Sequence, residues 1–425
     1  MQELVINGPT KWHGEVNIDG AKNACLPIMA ALLMIDNQVT LNNIPKLNDI
    51  ESMLKLLQCM GLDMTHQGQK LLSFRARELN YVAPYELVKK MRASILVLGP
   101  LLAKLGKAEV ALPGGCLIGA RPVDQHLEFM RALGAKVEIK DGLVCARADN
   151  GLTGCQYTFD VVSVTGTENA IMAASLAKGS TVIDNAAIEP EVIALIDFLN
   201  QCGAKISVSG MSVSIEGVTS LKAPAESFSV IGDRIEAGTF LIGAMICQGS
   251  ILVKGICPEH LSLVIELMKK AGAQVEYSSE EQWIRLSMDR RPIAQSITTE
   301  VYPGFPTDLQ AQWMALACVA EGESVIKEQI FENRMMHACE LMRMGAKIKI
   351  SSNTVTVQGI ERLRSAPVMA SDLRASASLV LAACQAMGES VIQRIYHIDR
   401  GYAQIESKLQ ALGVKVVRKE TVTEN

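Results

Sequence analysis

One unit recurs six times along this chain, and no other feature constrains its fold as tightly. Each copy runs from an apolar, small-residue helix through a short turn to a β-branched strand. A loop, an amphipathic helix and a Gly-Ala-Lys or related step then lead to another strand. The clearest copies are Gly179-Ser180-Thr181-Val182-Ile183 leading to Gly203-Ala204-Lys205-Ile206, and Gly322-Glu323-Ser324-Val325-Ile326 leading to Gly345-Ala346-Lys347-Ile348. Gly388-Glu389-Ser390-Val391-Ile392 leads in the same way to Gly413-Val414-Lys415-Val416. The closing glycines are Gly61, Gly134, Gly203, Gly272, Gly345 and Gly413, at spacings of 68 to 73 residues. Self-similarity at a fixed period means one supersecondary unit used repeatedly.

Each copy has a physical rationale. Ile50, Met53, Leu54 and Leu57 recur at i, i+3, i+4, i+7 and make one apolar stripe, as do Leu261, Val264, Ile265 and Met268. The glycine after each stripe suits the left-handed position that ends a helix. Lys136-Val137-Glu138-Ile139-Lys140 alternates polar and apolar, which predicts a half-exposed strand. Opening helices such as Ile171-Met172-Ala173-Ala174-Ser175-Leu176-Ala177 are apolar nearly all round and are expected inside. Helices inside and half-exposed sheets outside is one arrangement that follows; a continuous solenoid is the other.

At 425 residues the chain has room for two or three domains. Apolar residues at 49% against 20% charged supply a sizeable core. Lys and Arg number 41 against 45 Asp and Glu, so no nucleic-acid partner is expected, although a local basic pocket is compatible with a net charge of −4. Eleven scattered cysteines with no CxxC pair, and six dispersed histidines, signal neither a disulfide framework nor a metal site, and no cofactor is expected. Met1-Gln2-Glu3-Leu4 has no secretory character, and the densest apolar stretch, Ile95 to Ala103, holds Gly99 and Pro100. No membrane span and a cytoplasmic location are therefore expected.

Several connecting segments carry chemistry-bearing residues. Leu112-Pro113-Gly114-Gly115-Cys116-Leu117-Ile118-Gly119-Ala120-Arg121-Pro122 is glycine-rich enough for a lid, and Arg121 would favour the Cys116 thiolate; Cys116 could equally be an ordinary small apolar residue. Lys22 stands near a helix start, as an anion ligand or as an exposed lysine. Asp308 and Asp372 each precede a helix, where capping by Thr307, Asp308 or Asp372 is the plain alternative. Arg400 could pair with Asp399. Lys22, Arg92, Arg121, Arg334, Arg374 and Arg400 all fall at or near loops between repeat elements, where a gathering of cations would bind multiply charged anions.

Six motifs, in order, resemble those of the UDP-N-acetylglucosamine 1-carboxyvinyltransferase family of enolpyruvyl transferases. They are Gly20-Ala21-Lys22-Asn23, Leu112-Pro113-Gly114-Gly115-Cys116, Gly119-Ala120-Arg121-Pro122-Val123-Asp124, Phe305-Pro306-Thr307-Asp308-Leu309-Gln310-Ala311-Gln312, Asp372-Leu373-Arg374-Ala375-Ser376-Ala377 and His397-Ile398-Asp399-Arg400-Gly401-Tyr402. The resemblance implies a two-domain inside-out α/β barrel of six βαβαββ-like repeats, three per domain, with the active site in the cleft between domains. Residues 1–21 and 233–425 would form one domain; 22–232 would form the other and carry the Cys116 lid loop. It also implies transfer of the enolpyruvyl group of phosphoenolpyruvate to the 3′-hydroxyl of UDP-N-acetylglucosamine, the first committed step of peptidoglycan synthesis. Cys116 would be the proton donor, able to form a covalent adduct and to react with fosfomycin, and Asp308 the general base. Lys22, Asn23, Arg121 and Arg400 would hold phosphoenolpyruvate. Arg92, Arg121, Pro122, Val123, Asp124, Gln125, Ser163, Val164, Thr165, Asp308 and Ile330 would hold the sugar nucleotide, supported by Arg334, Asp372 and Arg374.

Three positions depart from the pattern: Ile188 where many members have Arg, Gln125 where Leu is common, and Val161 where some place Lys. Two rival readings share the fold, a transferase acting on shikimate 3-phosphate and a non-catalytic sugar-nucleotide sensor. The lid cysteine and the Arg121-Pro122-Val123-Asp124 segment oppose the first; intact Lys22, Cys116, Asp308 and Arg400 oppose the second.

Overall fold

The computed structural model describes residues 2–75, 78–89, 91–112 and 123–420. The repeat is realised as β-α-β-α-β-β. In one copy the strand Gln156–Thr158 precedes the helix Val164–Ala174, the strand Ser180–Asp184, the helix Pro190–Gln201 and the hairpin Lys205–Ser209 and Ser212–Glu216. The first strand runs parallel to the second, Gln156 opposite Val182, as a strand-helix-strand crossover requires. The last strand folds back antiparallel on the second, Ser180 opposite Glu216, leaving the third at the edge. Six four-stranded sheets share this order among the described residues.

All six closing glycines have positive φ, from +88° to +107°, a conformation in which an L side chain is strained. The third strands are more exposed than alternation alone predicts: Val137 is buried but Ile139 is 55% exposed, and Ile206 is buried while Val208 is 39% exposed. As edge strands, they carry their second apolar residue past the cover of the helices.

The chain divides into two compact units, described separately. Among the described residues, one comprises 2–19 and 232–420, the other those of 20–112 and 123–231. In the first, the helices Arg234–Ile246, Gln310–Val319 and Leu373–Gln385 pack each against the other two and are buried almost throughout. In a solenoid the first repeat would touch only the second, so this unit is closed on itself and the solenoid is excluded. Chain order reinforces the closure. Gln2–Gly8 lies between Gly388–Gln393 and Lys415–Glu420 in the last sheet, and His13–Asn17 supplies the parallel strand beside Ser250–Lys254. In the second unit, Phe228–Ser229 returns to pair with Val39–Asn42 of the first copy, and Lys22–Ala31, Leu98–Leu105 and Val164–Ala174 are the inner helices. No described helix is long and apolar enough to cross a membrane.

Candidate active site

In the unit of residues 2–19 and 232–420, the candidate site is organised on Asp308. Thr307 and Asp308 open a short 3-10 turn, Thr307–Leu309, before the helix Gln310–Val319. Neither caps it, contrary to the capping alternative. Asp308 instead faces two guanidinium groups: Arg334 Nη2 donates to Oδ1 at 2.6 Å and Arg374 Nη2 to Oδ2 at 2.5 Å. Thr307 Oγ1 accepts from Arg334 Nη1 at 2.8 Å and donates to Glu328 Oε2 at 2.9 Å. Burial would raise the Asp308 pKa, but the charges and hydrogen bonds of Arg374 and Arg334 outweigh it and hold the carboxyl well below the usual range. Arg374 is shifted upward in return, its burial cost exceeded by Asp308.

Glu328, almost fully buried, was not singled out by sequence. Its carboxylate accepts from Thr299 Oγ1, Thr307 Oγ1 and the backbone N–H groups of Ile330 and Phe331, so it fixes both the Asp308 turn and the Ile330 loop. Asp372 is a true helix cap, Oδ1 accepting from the Arg374 and Ala375 N–H groups, and thereby aims Arg374. Arg374 Nη1 also donates to the buried Tyr402 hydroxyl, which meets Thr239 and Gln312. Arg400, half-buried, ends the 3-10 helix Ile395–Arg400. Both oxygens of Asp399 accept from Arg418, which also grips Glu406.

In the other unit, Lys22 is the first residue of its helix and is buried, not exposed at a helix end; its Nζ meets Asp49 Oδ2 at 3.1 Å. Asn23 beside it is exposed. Val123 and Asp124 begin the helix Asp124–Ala132, and Gln125 has a buried Oε1 with no hydrogen-bond partner among the described residues. Ser163 caps the helix Val164–Ala174, its Oγ accepting from the Gly166 N–H at 3.1 Å. Arg92 opens a 3-10 helix and is half-buried. His126, the residue after the segment singled out by sequence, bridges Thr165 and Asn169. Val161 is exposed and Ile188 half-buried. Cys116, Arg121 and Pro122 lie outside the described residues. The other ten cysteines are free; burial pushes the Cys202 and Cys318 thiols up to about 12, which makes these two unreactive packing residues. Among the described residues no three His, Cys, Asp or Glu side chains cluster as metal ligands.

The six-sheet architecture is the fold of solved enolpyruvyl transferases. The family described as EPSP synthase (3-phosphoshikimate 1-carboxyvinyltransferase) matches residues 6–409, and the chain belongs to it. Within that family the similarity is to UDP-N-acetylglucosamine 1-carboxyvinyltransferases. The protein of that name from Psychrobacter sp. (strain PRwf-1) is 49% identical over 427 residues, covering 100% of this chain and 98% of the relative. That from Psychrobacter arcticus (strain DSM 17307 / VKM B-2377 / 273-4) is 50% identical, covering 98% and 99%. Among solved structures, the enolpyruvyl transferase NikO from Streptomyces tendae shares the fold with a TM-score of 0.89 at 21% identity, covering 99% of each chain. An EPSP synthase from Acinetobacter baumannii has a TM-score of 0.76 at 16% identity, covering 99% of this chain and 100% of that one.

Proposed function

We propose that this protein transfers the enolpyruvyl group of phosphoenolpyruvate to the 3′-hydroxyl of UDP-N-acetylglucosamine and releases phosphate, in the cytoplasm, as the entry to peptidoglycan synthesis. The observation that carries the reading is near 50% identity, over essentially the full length, to relatives bearing that name. The reaction is addition followed by elimination. The sugar oxygen bonds to C2 of phosphoenolpyruvate while C3 gains a proton; the C2–O bond to phosphate then breaks as C3 loses a proton. Cys116 supplies the proton to C3 and is the site of fosfomycin alkylation. Lys22, Asn23, Arg121 and Arg400 hold the phosphate and carboxylate, and a compact, multiply charged anion of this kind needs convergent cations. The sugar nucleotide lies along Arg92, Val123, Asp124, Gln125, Ser163, Val164, Thr165 and Ile330, with Arg121 and Pro122.

Asp308 receives the sugar hydroxyl. Its clamp keeps it ionised and hence an acceptor, and the hydroxyl proton becomes acidic only as the C2–O bond forms, so Asp308 orients first and takes the proton late. The test is phosphate release with both substrates, with each omitted, and with shikimate 3-phosphate in place of the nucleotide. Release only with the full pair supports the reading. Release with shikimate 3-phosphate, or none with the pair, overturns it. Mass spectrometry should find a fosfomycin adduct on the Cys116 peptide, and its absence would remove the role given to that thiol.

A further inference from the structure

We infer that His126 is a positioning residue, which turns the Thr165 hydroxyl hydrogen toward a phosphate oxygen of the nucleotide substrate. The inference rests on the function proposed above for the identity of that substrate.

The argument follows protons through one buried chain of hydrogen bonds. The Gly99 N–H donates to Asn169 Oδ1 at 2.7 Å, and Asn169 Nδ2 donates to the Ile95 carbonyl at 3.0 Å. These two contacts fix the amide orientation, because reversing it would set an N–H against an N–H and an oxygen against an oxygen. Asn169 Nδ2 therefore points its second hydrogen at His126 Nδ1, 3.0 Å away, and Nδ1 must be bare. The ring is 2% exposed, and burial with the nearby Arg92 charge pushes its pKa down to about 3, so it is neutral. A neutral imidazole with a bare Nδ1 carries its hydrogen on Nε2. Nε2 faces Thr165 Oγ1 at 3.3 Å and donates to it.

Thr165 Oγ1 is thus an acceptor toward the ring, and its own hydrogen points elsewhere. Within a helix a threonine hydroxyl commonly donates to the carbonyl one turn earlier. Thr165 is the second residue of Val164–Ala174, so no helical carbonyl precedes it, and it is half-exposed. The ligand side of the hydroxyl is a donor, at the positive N-terminal end of the same helix, and the chemistry that matches is an anionic oxygen. An alanine or glycine at this position would lack the donor, and a histidine in the other tautomer would turn it inward.

Steady-state kinetics on His126→Phe, Thr165→Val, their combination and Thr165→Ser test this. His126→Phe should raise KM for UDP-N-acetylglucosamine roughly tenfold and leave KM for phosphoenolpyruvate in place. The same change in the Thr165→Val background should add nothing, and Thr165→Ser should restore the wild-type KM. Equal effects of His126→Phe with and without the Thr165 hydroxyl would overturn the positioning role while wild-type turnover left the functional reading intact. Because His126→Phe could disturb folding, nitrogen NMR of the unaltered protein gives an independent reading. A protonated Nε2 and bare Nδ1 support the proposal; an Nδ1–H tautomer or an imidazolium at pH 7 refutes it.

Discussion

Asp308 meets Arg334 and Arg374 through one oxygen each, and the pair of charges sets what this residue can do. A carboxyl held far below its ordinary range stays ionised across the working pH range. Activity should therefore show no acid limb from Asp308 between about pH 5 and 8. Asp308→Asn should lower kcat by about 10²- to 10⁴-fold and cost about 3 kcal/mol, because it leaves buried guanidinium groups without their counter-charge. Unchanged kcat, or an acid limb that vanishes in this variant, would contradict the assignment. Glu168 has the opposite sign. Burial first, then the neighbouring Glu191 and Glu189, raise its pKa well above normal, so it folds as the protonated acid. The unfolded chain releases that proton above about pH 4.3, so stability falls as pH rises from there until the folded pKa is passed. Glu168→Gln keeps the shape without the proton to lose, and should raise Tm more at pH 8 than at pH 5. Neither environment could be read from sequence, since Asp308 lies 26 and 66 residues from its partners and local capping was the natural alternative.

At the scale of the element, the repeat was legible because its chemistry is local: a helix stripe, a stop and a β-branched strand all lie within one turn or pleat of each other. What escaped was the first strand of each sheet, two residues long in Val82–Ala83, Phe228–Ser229 and Ile297–Thr298, too short for any alternation to show. Glycines report the same distinction. Gly203, at φ +97°, has nothing within 4 Å of an added Cβ, so Gly203→Ala meets only backbone strain, about 1–2 kcal/mol. Gly217 has no positive φ to mark it, yet a Cβ there would sit 1.7 Å from the Ala177 carbonyl oxygen. Gly217→Ala must move backbone and should cost distinctly more than Gly203→Ala. Urea unfolding of both variants checks the order, and equal losses would show that the strand edge at Gly217 yields easily.

For the molecule as a whole, the decisive fact is that a strand from the beginning of the chain completes a sheet made near its end. Gln2–Gly8 is an interior strand of the last sheet, paired on both sides, with Leu4 and Ile6 fully buried. The apolar core of the unit runs continuously from Leu4 through the three inner helices to Val416. Period alone could count the repeats but could not show which strand fills the last place, because that pairing spans nearly the whole chain. All three tryptophans, Trp12, Trp283 and Trp313, lie in this unit, so intrinsic fluorescence reports its unfolding directly. Ile6→Ala removes a fully buried side chain and leaves a cavity, a loss of about 2–5 kcal/mol. With a urea slope near the upper end of the usual range, about 3 kcal/mol/M, the fluorescence midpoint should move down by roughly 1 M. Val417→Ala tests position in the same sheet: Val417 is 54% exposed on the adjoining strand, directly opposite Val5, and its loss should stay within about 0.5 kcal/mol. Equal shifts for the two would mean that burial at Ile6 does not govern the stability of this unit, and that its closure by the first strand is dispensable.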